Sequence, residues 1–113
     1  MILNSNNMRQ VVLLDKHKIE LRDVPAPTPE ELGNHQVLIK VHRIGVCGSE
    51  IHSYHGEHPA TFYPVVQGHE YSAEVIAVGK DVTVCQPGAF MTGRPPPVCG
   101  DCGPCRRGHY SVC

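Results

Sequence analysis

Four of the six cysteines fall in the last fifteen residues, which read Cys99-Gly100-Asp101-Cys102-Gly103-Pro104-Cys105-Arg106-Arg107-Gly108-His109-Tyr110-Ser111-Val112-Cys113. Their spacing is C-x2-C-x2-C-x7-C. Two residues between cysteines let a tight turn aim both sulfurs at one ion, and Gly100 and Gly103 allow the backbone to bend that sharply. Four thiolates meet the tetrahedral preference of Zn²⁺ and leave no open position, the pattern of a structural site. A segment so rich in glycine and charge has little apolar surface to bury, so a metal is expected to hold it. In zinc-finger peptides such a site supplies on the order of 10–16 kcal/mol of apparent folding free energy. Arg106 and Arg107 would partly offset the negative charge of a zinc tetrathiolate.

Three other uses of these cysteines compete with a structural zinc. The C-x2-C-x2-C opening also fits a bacterial iron–sulfur run, but there the fourth cysteine follows after three residues and precedes proline; here it follows after seven. A disulfide framework suits a short cysteine-rich chain, yet no secretory segment precedes the cysteines, and a reducing cytosol favours metal. A nucleic-acid zinc ribbon needs a basic footprint. The net charge is −1, with two Phe and four Tyr in the whole chain, so nucleic acid is not an expected partner.

A length of 113 residues suits one domain with a modest core. Residues 1–7 are expected to form a disordered extension, and residues 8–113 one domain whose residues 95–113 make the cysteine lobe. Hydrophobic residues make up 41% of the chain, but no apolar run approaches the ~20 residues of a membrane helix. The expectation is a cytoplasmic protein without a membrane partner. Because the chain closes on its fourth predicted ligand, it is expected to be a fragment of a longer protein.

In chain order, residues 9–14 and 19–24 read as the two strands of a hairpin around a turn at Asp15-Lys16-His17-Lys18. Pro25-Ala26-Pro27-Thr28-Pro29 is an extended linker. Residues 36–46 form the strongest strand pattern, with Val37, Ile39 and Val41 facing one way and Lys40 and His42 the other. Residues 49–54 fit a short helix with Ser49 as its N-cap, and 55–63 a loop. Residues 71–78 are a second long strand, closed by a turn at Gly79-Lys80-Asp81. Segments 82–85 and 89–92 flank a turn at Gln86-Pro87-Gly88, and Pro95-Pro96-Pro97 leads stiffly into the cysteine lobe. About six or seven short strands and one or two weak helices indicate a mostly-β barrel or sandwich.

A second group of ligand-type residues comprises Cys47, His69 and Glu70. Each stands where a strand-like run gives way to a turn, so two strand ends can bring them together. Thiolate, imidazole and carboxylate give three protein ligands and one open position, the catalytic zinc arrangement. By residue type alone the reading stays open, since a single cysteine is more often a buried small hydrophobe and a lone histidine a satisfied polar group.

Gly45-Val46-Cys47-Gly48-Ser49-Glu50-Ile51-His52, Gly68-His69-Glu70, Val78-Gly79, Pro87-Gly88 and the C-x2-C-x2-C-x7-C lobe occur in that order. Together they resemble the zinc-dependent medium-chain alcohol and polyol dehydrogenases, most closely the sorbitol, xylitol and threonine dehydrogenase branch. The resemblance runs from about residue 8 to residue 113 and implies a GroES-like β-barrel with short helices and a structural zinc lobe. It implies that Cys47 and His69 bind a catalytic zinc, with Glu70 a ligand in the polyol branch and an adjacent carboxylate in others. It further implies that Ser49 takes the substrate proton, that His52 passes it to solvent, and that Cys99, Cys102, Cys105 and Cys113 hold a second, structural zinc. The implied activity is oxidation of a secondary alcohol or polyol by hydride transfer to NAD or NADP, in a homo-oligomer.

Two features depart from the pattern. Ala89 stands where the family usually has Asp after its Pro-Gly turn. No two glycines are separated by a single residue, so the G-x-G-x-x-G of a dinucleotide-binding turn is missing. The cofactor is therefore expected to bind a domain outside these residues, and this chain alone is expected to be inactive. A non-catalytic zinc-binding module is the alternative. Cys85 reads as a structural thiol, His17, His35 and His42 as surface or strand polar groups, and His55 and His58 as rim residues of a substrate cleft.

Overall fold

A computed structural model describes residues 7–93 and 98–113. The expected extension therefore lies outside the described residues except for Asn7, which opens strand β1 (Asn7–Asp15). β1 pairs antiparallel with β2 (Lys18–Pro25), placing Val11 opposite Leu21 and Leu13 opposite Ile19. His17 turns the hairpin at φ 58°, a left-handed conformation that histidine tolerates better than most residues. Val12 and Leu13 are buried, and each fully buried side chain of this size stabilises the fold by about 1.5–3 kcal/mol. Leu13 also exchanges two backbone hydrogen bonds of 2.9 Å with Val65. The hairpin is thereby tied to the loop that leads to His69.

The second sheet has the order β3-β4-β5 and is antiparallel throughout. Its strands are β3 (Val37–Gly45), β4 (Glu70–Val78) and β5 (Phe90–Thr92). Ala73 and Val75 on the central strand β4 are buried. The clean alternation expected for β3 is broken by shifts of register after Leu38 and after Val41. Such bulges re-aim side chains, and Val41, expected on one face with Val37 and Ile39, is exposed while those two are half-buried. The described strands make a two-stranded and a three-stranded sheet, so no barrel is closed among them.

Residues 82–85, expected as a strand segment, are irregular instead, with a bend at Val84. Val75 pairs beyond them: its N–H donates to Ala89 O and its carbonyl accepts from Gly88 N–H, each at 2.8 Å. The ladder thus forms at Ala89 despite the missing Asp. Val84, left without a packing partner surface, is 91% exposed. The preceding turn does form. Gly79 donates to Gln36 O at 2.8 Å, and a β-carbon there would collide with the carbonyl oxygens of Gly33 and Asn34. The linker ends in a 3-10 helix over Pro29–Glu31. The stiff Pro95-Pro96-Pro97 approach lies outside the described residues.

Helix α1 spans Gly48–His55, and its N-cap is Cys47, not Ser49. The Glu50 carboxylate accepts the Cys47 N–H at 2.8 Å, satisfying one of the donors that a helix start leaves unpaired. Gly56, at φ 74°, closes the helix in the left-handed conformation. The Ser53 hydroxyl, buried inside α1, donates to Ser49 O at 3.0 Å and meets Thr61 Oγ1 at 2.7 Å. The Tyr63 hydroxyl donates to Ser53 O at 2.5 Å. These bonds fix the loop after α1 against the helix. The cysteine lobe contains α2 (Gly103–Arg106) and a 3-10 helix over Tyr110–Val112. No helix among the described residues is long and apolar enough to cross a membrane.

Candidate metal centres and active site

The sulfurs of Cys99, Cys102, Cys105 and Cys113 all lie within 4.8 Å of one another. Cys113 Sγ is 3.7 Å from Cys99 Sγ and 3.9 Å from Cys102 Sγ. A tetrahedral site with Zn–S of about 2.3 Å has S···S edges of about 3.8 Å, so the four sulfurs fit zinc. The turns aim backbone donors at them: Cys102 N–H points to Cys99 Sγ at 3.3 Å and Cys99 N–H to Cys113 Sγ at 3.4 Å. Hydrogen bonds from the N–H groups of Cys102 and Asp101 hold the Cys99 thiol down at about 6. Cys105 is 5% exposed, and burial pushes its thiol up to about 11. Arg106 pairs with Asp101 at 2.5 Å across the lobe.

Cys47 Sγ, a ring nitrogen of His69 and a carboxylate oxygen of Glu70 form the second convergent group, again within 4.8 Å of one another. Cys47 caps α1 and Glu70 is the first residue of β4, so the strand-to-helix and loop-to-strand junctions meet here. The Ser49 hydroxyl and backbone N–H, with His69, lower the Cys47 thiol below its usual range. Its hydrogen bond to Cys47 raises His69 in turn. Sulfur, nitrogen and oxygen donors from these two junctions fit a three-ligand zinc with an open position.

A cavity of about 380 Å³ opens beside this group, lined by Ser49, His58, Thr61, Phe62 and His69 among others. A second, of about 440 Å³, reaches His69 and Glu70 from the β3–β5 side. His52 stands three residues after Ser49 on α1 and is exposed, with Nδ1 3.1 Å from Glu57 Oε2. The carboxylate accepts, so Nδ1 carries the proton, and this bond lowers the Glu57 carboxyl. His58 lines the smaller cavity. His55 does not line it and faces His17 instead.

Residues 33–113 match the alcohol dehydrogenase GroES-like domain. The chain belongs to this family. The GroES-like domain is 43% identical over 94 residues to a sorbitol dehydrogenase of Halalkalibacterium halodurans, covering 82% of this chain and 26% of that protein. It is 39% identical over 98 residues to an L-threonine 3-dehydrogenase of Saccharopolyspora erythraea, covering 84% of this chain and 28% of that one. Among solved structures, galactitol-1-phosphate dehydrogenase from Escherichia coli superposes with a TM-score of 0.83 at 29% identity, covering 94% of this chain and 30% of that one. A zinc-binding dehydrogenase from Sinorhizobium meliloti, solved with NADP, gives 0.80 at 38% identity, covering 95% and 30%. The chain thus spans less than a third of the length of these relatives. Over this span it is similar to the GroES-like part of dehydrogenases.

Two residues of this GroES-like domain support the Cys47 group without having been singled out by their chemistry. Glu50 caps the Cys47 N–H and lends negative charge to His69. Its signal was the spacing of a capping box, three residues after the true N-cap. Gly45, opposite Glu70 in the β3–β4 ladder, leaves space that the Glu70 carboxylate fills.

Proposed function

We propose that this GroES-like domain is the zinc-carrying, substrate-activating part of an NAD(P)-dependent dehydrogenase that oxidises a secondary alcohol or polyol. The supporting observation is the convergence of Cys47, His69 and Glu70 beside a cavity that also carries Ser49. Cys47, His69 and Glu70 would hold one zinc, and Cys99, Cys102, Cys105 and Cys113 another. Bound zinc supplies a Lewis acid that polarises the substrate oxygen and eases loss of its proton near neutral pH.

The residues around it divide the remaining work. Ser49 Oγ, on the first turn of α1, accepts the substrate hydroxyl proton, and a hydroxyl relays a proton without a shifted pKa of its own. His52, one helical turn further on, receives it and releases it to solvent, a task suited to an imidazole, whose two ring nitrogens can take and give a proton. Glu57 holds the His52 ring through Nδ1 and leaves Nε2 for that exchange. A bound nicotinamide would supply the acceptor for the hydride that leaves the alcohol carbon as that carbon becomes a carbonyl. The cofactor is held by residues other than these, because the glycine-rich turn that cradles a pyrophosphate is missing here. The hydroxyls of Ser49 and Thr61 and the ring of His58 give the cavity donors and acceptors suited to a polyol.

Cobalt substitution tests this reading. The Co²⁺-loaded protein should show thiolate-rich absorption from the cysteine lobe and a second band set that shifts on adding sorbitol or threonine. The responsive bands should vanish in Cys47→Ala while the lobe bands stay. Bands that ignore every alcohol, with Cys47→Ala spectrally silent, would instead make the domain a zinc module without a substrate site.

A further inference from the structure

His17 Nε2 and His55 Nδ1 lie 3.0 Å apart. The two histidines come from distant parts of the chain, one from the β1–β2 turn and one from the last position of α1. Their placement is fixed from several directions. His17 donates its backbone N–H to Tyr54 O at 2.9 Å. The Tyr54 ring packs edge-on against both imidazoles, at centroid distances of 5.0 and 5.3 Å. The imidazoles themselves meet edge to face at 5.1 Å and 75°. Both rings are exposed, so an ion and its waters can reach the paired nitrogens. The Glu57 carboxylate, held by His52, lies within electrostatic reach of His55 and favours a cation there. Lys16, whose stem lies beside Gly56, is the opposing charge.

We propose that His17 and His55 form a two-imidazole site for a divalent transition-metal ion of tetragonal preference, Ni²⁺ or Cu²⁺, with water completing the shell. Nitrogens 3.0 Å apart, each about 2.0–2.1 Å from a shared ion, subtend roughly 94° at it. That is the cis angle of a square-planar or octahedral ion and falls short of the tetrahedral angle that zinc takes. The site is separate from both cysteine-containing groups and does not depend on the proposed dehydrogenase activity. Its effect is mechanical: the ion replaces a shared proton and clamps the hairpin turn to the C-terminal end of the helix that carries Ser49.

The test uses NiCl2 added to the zinc-saturated protein, followed by metal analysis and by paramagnetic broadening of NMR signals. The expected result is saturable nickel uptake without zinc release, with broadening centred on His17, Tyr54 and His55. Uptake should be lost in both His17→Gln and His55→Gln while zinc content stays unchanged. The proposal is overturned by absence of saturable uptake, by uptake that survives both substitutions, or by nickel entering only as zinc leaves. The last result would place the nickel at the cysteines.

Discussion

A β-carbon at Gly45 would come within 2.8 Å of the Glu70 carboxylate, which fills the space across the ladder from it. The glycine that interrupts the β3 pattern is therefore a steric condition on the carboxylate's position beside Cys47 and His69. Replacing Gly45 by Ala should push Glu70 aside and weaken zinc at that site by about 10–100-fold, the range seen when support of a metal ligand is disturbed. Zinc in the cysteine lobe should be unaffected. Chelator competition measures both affinities, and an unchanged weaker site would remove Glu70 from the ligand set.

Glu50→Ala removes the acceptor for the Cys47 N–H at the start of α1. Loss of a helix cap costs about 0.5–2 kcal/mol, and urea unfolding should show a loss in this range. Zinc affinity at Cys47 should fall with it, because the cap also holds the ligand. A loss of stability with zinc binding untouched would show that Glu50 serves the helix alone.

Zinc uptake by the cysteine lobe should tighten as pH rises, because the ion takes thiolates and each remaining thiol must lose its proton. Metal-free Cys99, at about 6, is already mostly thiolate at pH 8. Cys105, at about 11, still carries its proton there. At least the Cys105 proton should therefore be released on binding at pH 8. Calorimetry in buffers of different ionisation enthalpy counts these protons, and a release of none would contradict the proposed ligand set.

Residues 1–113 loaded with zinc should reduce neither NAD nor NADP with polyols, threonine or simple alcohols. Hydride transfer needs reacting atoms roughly 3–3.5 Å apart, and nothing in this sequence builds the turn that would hold a dinucleotide. Absorbance of the reduced cofactor reports the outcome. Turnover that disappears in Cys47→Ala would show that the cofactor site lies within these residues.

The hairpin β1–β2 and the cysteine lobe were legible because local rules decide them: alternation and a polar turn in the first, ligand spacing in the second. The N-cap was misplaced by two residues because Ser49 is the better capping type, whereas the structure is decided by Glu50 reaching back to the Cys47 N–H. Residues 82–85 have strand-like composition, but Val75 takes its partners from Gly88 and Ala89, a long-range choice that composition does not record. The bulges that expose Val41 are equally non-local. Cys47, His69 and Glu70 carried the right residue types, yet their meeting depends on how β3, α1 and β4 come together. The His17–His55 contact had no sequence signal at all, since it joins two segments 38 residues apart.

Zinc content per chain tests the central claim most directly. Zinc-saturated protein, freed of excess metal and analysed by elemental methods, should carry two zinc ions, Cys47→Ala one, and Cys105→Ala one. A single zinc in the unsubstituted protein, or two that survive Cys47→Ala, would contradict the account of Cys47, His69 and Glu70 as a metal centre.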